Sequence, residues 1–122
     1  MKQPKEYLPS VRIQFLDRGK ILRELKELSL TLKKERQDVI SIILFGSLAK
    51  GNYTGGSDAD IIIIVKHSQK DLVERIFEFR KYFLNCSIPV DILVYTEEEI
   101  KKMQHEGFID SVMKEGVNLI CL

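Results

Sequence analysis

Three aspartates and a Gly-Ser pair are the residues of this chain whose types and spacing could do chemistry. Asp58 and Asp60 stand two residues apart, immediately before the apolar run 61–64. If they enter a strand there, both side chains fall on one face, with Cα atoms roughly 7 Å apart. Two carboxylates so placed can converge on one divalent cation. Asp91 sits in the otherwise apolar stretch 89–95. An ionised carboxylate inside a strand is expensive unless it is paired or bound to metal, and no basic residue lies near it in sequence. If the two Asp-bearing strands are neighbours, three negative charges crowd together and a divalent cation is the simplest relief. Two such ions about 4 Å apart suit in-line displacement at phosphorus.

Gly46 and Ser47 end an earlier apolar run. Without a Cβ at Gly46, a ligand can approach the backbone closely. A short helix beginning at Ser47 would turn its free N–H groups toward a phosphate. The Ser47 hydroxyl adds a donor, and Lys50 adds a positive charge within reach of a polyphosphate.

The elements that must position these groups are legible from periodicity. Ile21, Leu22, Leu25, Leu28 and Leu32 recur at helical spacing and predict an amphipathic helix over residues 18–36. Residues 39–45, 61–65 and 90–95 read as buried strands. Ser68 with Asp71 resembles a capping box before a helix carrying Leu72, Ile76, Phe79 and Phe83. Thr96 with Glu99 is a second such box. Gly107 breaks that second helix before Ile109, Val112 and Met113. Gly116 reads as a helix stop, and residues 117–121 as a last strand. Val11, Ile13 and Phe15 alternate with polar residues and read as a short strand. The class is therefore α/β (α+β): a mixed sheet of about four strands with helices packed on it.

Composition narrows the field. With 122 residues the chain is one domain. Nineteen basic against eighteen acidic residues leave no basic excess, so long nucleic acid is an unfavoured partner. The N-terminus has no apolar signal-like region, and the longest apolar run is far too short to span a bilayer. Cys86 and Cys121 lack metal-like spacing and read as small core residues, which places the chain in a reducing cytoplasm. His67 and His105 read as surface histidines. The set 33–36 reads as the solvated end of a helix, and Phe77, Phe79, Tyr82 and Phe83 as core and helix face.

Gly46-Ser47, a spacer of ten residues, Asp58-x-Asp60 and the later Asp91 together resemble the DNA polymerase β-type nucleotidyltransferase superfamily. Within it they resemble the minimal nucleotidyltransferases (MNT proteins). The resemblance covers about residues 18–122 and leaves residues 1–17 as an N-terminal extension. It implies a polymerase β-type palm, Mg²⁺ (two ions) and a nucleoside triphosphate donor, ATP by family habit. By the same resemblance Gly46 and Ser47 hold the triphosphate, and Asp58 and Asp60 ligate both metals. Asp91 completes the metal that activates the acceptor hydroxyl for attack on the α-phosphorus, releasing pyrophosphate. Many relatives read Gly-Ser-Arg-Ala-Arg-Gly where this chain has Leu48 and Lys50, so one cation is lost and the other is a point charge.

The chain has no length for an acceptor-binding domain. Minimal members often resemble the antitoxin half of a HEPN–MNT pair, in which AMP is transferred to the HEPN toxin; that is the leading expectation here. Nucleotidylation of a small molecule such as an aminoglycoside, or a non-catalytic binding antitoxin, are the alternatives. Val11, Ile13 and Phe15 would leave an apolar edge, from which a homo-oligomer contact is expected.

Overall fold

The computed structural model describes residues 17–51 and 58–120. The strand expected around Val11–Phe15, with the rest of residues 1–16, and residues 52–57 and 121–122, Cys121 among them, lie outside the described residues.

The chain opens with α1 (Arg18–Glu35). Asp17 caps it, its carboxylate accepting from the Lys20 N–H at 3.1 Å. Ile21, Leu25 and Leu32 form its buried stripe. Next come β1 (Val39–Phe45), the four-residue helix α2 (Ser47–Lys50) and β2 (Ala59–Val65). Helix α3 (Leu72–Arg80) runs on through a 3₁₀ turn (Lys81–Phe83) toward β3 (Val90–Thr96). Helices α4 (Glu97–Met103) and α5 (Gly107–Glu115) precede the two-residue β4 (Val117–Asn118).

The strands form one mixed sheet in the order β3-β2-β1-β4. β1 pairs antiparallel with β2 and β4, while β2 and β3 are parallel and joined through α3. Side chains alternate between two apolar layers. On one face Ile42, Leu44, Ile61, Ile63, Ile92 and Val94 pack with α1 and with Phe79 and Phe83. On the other, Ile43, Ile62 and Ile64 pack with Ile109 and Val112 of α5. The central strand β2 is covered on both faces, which is why its isoleucines run consecutively rather than alternating with polar residues.

Several local expectations are corrected. The box before α3 is Asp71 with Glu74, each side chain bonding the other's backbone N–H. Ser68 instead accepts from the Lys70 N–H, making a turn ahead of the helix. Arg36 is no solvated helix end. It lies 4.5 Å over the Phe79 ring and pairs with Asp38 and Glu78, a stacked and forked arrangement that arginine suits. Phe77 stays exposed whereas Phe79 and Phe83 are core. The last strand is shorter than expected, because the Asn118 side chain accepts from the Ile120 N–H and turns the chain. The Thr96–Glu99 capping box is present as read, and His67 and His105 are exposed.

Gly116 does end α5, but for a reason spacing could not reveal. Its φ of −73° is ordinary. A Cβ there would run into the Ile43 side chain and the Val112 carbonyl. The residue is small because the helix end lies directly on β1. Gly116→Ala is therefore expected to lose about 1–3 kcal/mol in denaturant unfolding through overpacking. Gly107→Ala, where a Cβ would meet open space, is expected to leave stability unchanged or slightly raised.

Candidate active site

The end of β1 and the beginnings of β2 and β3 lie at the same end of the sheet. There Phe45 pairs with Asp60, and Asp60 pairs with Asp91. Cross-strand partners share a face, and Phe45 belongs to the layer under α5. The two carboxylates therefore stand side by side on that face. Asp58 precedes β2 by one residue, is exposed, and adds its charge to the same corner.

The electrostatics of the corner centre on Asp60, the half-buried member. Burial pushes its carboxyl above the ordinary aspartate value, and the negative charges of Asp91 and then Asp58 push it further. Asp91 itself is exposed. The cost of burying a carboxylate thus falls on Asp60, because Asp91 lies near the start of β3, an edge strand among the described residues. Among the described residues no three His, Cys, Asp or Glu side chains are drawn into a finished metal cage. The three lie near enough for the charges of Asp91 and Asp58 to act on Asp60. The donor set still fits a hard divalent cation: it is all carboxylate oxygen, and its charge is uncompensated by any basic partner among the described residues.

Gly46 is built into this corner. Its φ is +79°, in the region that favours glycine. A Cβ there would stand 2.7 Å from the Asp60 Oδ2. Backbone and carboxylate approach so closely that only a hydrogen fits between them. Ser47 then begins α2, and Gly51 closes it in the left-handed region with φ +85°.

Arg18, which sequence reasoning passed over, steadies this segment from behind. Its Nε donates to the Leu48 carbonyl at 2.8 Å and its Nη2 to the Ala49 carbonyl at 3.0 Å. No local signal could have found a contact thirty residues away. Leu48 is fully buried in the core, so its side chain faces inward, away from the carboxylate corner's solvent. Lys50 is half-exposed and pairs with Glu115 of α5 at 3.3 Å. Such a surface pair contributes little, so the ammonium can exchange Glu115 for a phosphate. Beside this pair lies a cleft of about 210 Å³, walled by Gly46, Lys50, Glu115 and the edge-to-face pair Phe45–Phe108.

Comparison with known proteins settles the kinship. The pattern of the family described as "Nucleotidyltransferase domain" matches residues 19–119. The chain belongs to the nucleotidyltransferase family. Two chains of Methanocaldococcus jannaschii, each named "Putative protein adenylyltransferase", are similar to this nucleotidyltransferase. One is 34% identical over 101 residues, covering 81% of this chain and 95% of the relative. The other is 35% identical over 95 residues, covering 77% and 92%. A solved structure, a "putative nucleotidyltransferase from Sulfolobus solfataricus", superposes with a TM-score of 0.62 at 22% identity, covering 97% of this chain and 89% of that one. That likeness supports the fold.

The raised carboxyl of Asp60 has a consequence for stability. The folded state holds the Asp60 proton more tightly than the unfolded chain, whose value is near 3.8. Stability from this group is present below that value and is lost as pH rises through the higher folded one. In the presence of a chelator, Asp60→Asn is expected to melt above wild type at pH 7. That gain should shrink as pH falls through the aspartate range. Thermal scans across pH check both statements.

Proposed function

We propose that this nucleotidyltransferase transfers the adenylyl group of ATP to a hydroxyl on a partner protein, with Mg²⁺ as cofactor. The observation that carries the reading is the register that sets Asp60 beside Asp91, with Gly46 pressed against Asp60 and Asp58 at the same corner. The printed names of the two curated relatives favour a protein acceptor. The reading extends to a HEPN-type toxin as the acceptor, with this chain as its antitoxin. It places the reaction in the cytoplasm, where both ATP and Mg²⁺ are found. Among the described residues no helix is long and apolar enough to cross a membrane.

Each residue has a stated task in this reading. Asp58, Asp60 and Asp91 would hold the two cations, which when bound would neutralise charge on the transferring group and make the acceptor hydroxyl more acidic. Gly46 keeps the backbone clear of a side chain, so that the triphosphate lies close to the chain. The Ser47 hydroxyl and the Lys50 ammonium bind its oxygens, with Lys50 released from Glu115. Asp91, exposed on β3, faces the incoming acceptor and takes the hydroxyl proton. The acceptor oxygen bonds to the α-phosphorus, the bond to the bridging oxygen breaks, and pyrophosphate leaves. Charge fixed in advance around the transferring group is the main source of rate in such a site.

The test is calorimetric titration of a non-hydrolysable ATP analogue with Mg²⁺ into wild type and into Asp58→Ala/Asp60→Ala. Metal-dependent binding is expected in wild type and its loss in the double variant. Equal binding by both proteins would overturn the assignment of the carboxylates. Failure of wild type to bind would overturn the ATP reading.

A further inference from the structure

Among the described residues, the three most exposed large apolar side chains are Val73, Phe77 and Leu84, at 60%, 65% and 66%. They are not scattered. Val73 and Phe77 are one turn apart on α3, and Arg80 and Leu84 continue the same line at spacings of three and four through the 3₁₀ turn. The inward side of α3 is already supplied by Arg75 and Phe79, both buried. The stripe is therefore apolar surface beyond what the core uses. Isolated exposed apolar residues need no explanation, but an aligned set does.

The stripe borders a groove of about 730 Å³. Arg80 and Leu84 line one side of it; Val90, Asp91 and Ile92 line the other. Among the described residues β3 is an edge strand paired with β2 alone, so there the groove runs along a sheet edge and reaches the carboxylate corner at Asp91. Arg80 makes no hydrogen bond or ion pair among the described residues, whereas Arg18, Arg36 and Arg75 are each engaged.

We propose that the groove between α3 and the open edge of β3 is the docking site of the protein acceptor. The occupant is a polypeptide segment whose apolar side chains cover Val73, Phe77 and Leu84 and whose acidic residue pairs with Arg80. Its hydroxyl is thereby carried to Asp91. This rests on the reading of the chain as a protein adenylyltransferase. Three observations favour a protein over other acceptors. The stripe from Val73 to Leu84 is about 16 Å long at 1.5 Å per residue, longer than a small molecule needs. The two similar Methanocaldococcus jannaschii chains are each named "Putative protein adenylyltransferase". An extended segment can pair with the strand edge that the described residues leave open while its side chains reach the apolar stripe.

The experiment uses α-labelled ATP, Mg²⁺, the full chain and a whole extract of the cells that make it. Wild type is compared with Phe77→Asp, Leu84→Asp and Arg80→Glu, and with Leu30→Asp as an exposed apolar control on α1. Binding of the ATP analogue is measured on each to show that the fold and nucleotide site persist. The groove variants are expected to label protein at least about tenfold less than wild type, the change that the loss of about 1.4 kcal/mol of binding produces. They should bind nucleotide as wild type does, and the Leu30 variant should keep both properties. Groove variants that label protein at the wild-type rate would overturn the docking site alone. Label appearing in RNA, in a small molecule or in a second copy of this chain would overturn the occupant. Wild type that binds nucleotide but labels no protein would overturn the protein-acceptor reading, and the docking site with it.

Discussion

The register between β2 and β3 puts Asp60 opposite Asp91, and that juxtaposition is electrostatically unfavourable by itself. Two carboxylates side by side, with a third close by, raise each other's energy, and the half-buried Asp60 bears most of it. A sheet end free to fray would relieve the strain by letting the strands part. The surrounding structure prevents this. Ile61, Ile62, Ile63 and Ile64 follow Asp60 directly and are buried on both faces of the sheet, so the strand cannot slip by one residue without turning isoleucines to the wrong layer.

The other parts of the corner answer to that anchored pair. Gly46 lies where a side chain would collide with the Asp60 carboxylate. Leu48 fastens α2 into the core while Arg18 holds the carbonyls of Leu48 and Ala49 from outside. The loop segment is thus fixed at three points and can present Ser47 and Lys50 on a rigid base. On the far side of the same face, α5 lies so close to β1 that only glycine fits at position 116. Its Glu115 pairs with Lys50 beside the small cleft, which couples the last helix to the segment after β1 by a weak and replaceable contact.

Much of this was legible in the sequence, and the division is physical. The strands were readable because consecutive β-branched residues of that length suit a strand covered on both faces. α1 was readable because Ile21, Leu25 and Leu32 repeat at helical spacing. The carboxylates were readable because Asp residues adjoining apolar strands need a reason. What escaped were effects of long-range packing. Arg36 looked like a solvated terminus until Phe79, Asp38 and Glu78 came to it. Arg18 had no local partner to betray it. Asp91 looked like the costly buried charge, but the strand order places it at an edge and leaves that burden to Asp60. The exposed line of Val73, Phe77 and Leu84 was hidden within a helix whose periodicity reads as ordinary.

The central claim is that Asp58, Asp60 and Asp91 together form a two-cation site. The most direct measurement is anomalous diffraction from crystals of the full chain grown with Mn²⁺, a scattering substitute for Mg²⁺, and a non-hydrolysable ATP analogue. The account predicts two anomalous peaks enclosed by these three carboxylates, with the triphosphate against Gly46 and Ser47. Peaks elsewhere on the molecule, or a bound nucleotide with no peak at the carboxylates, would contradict it.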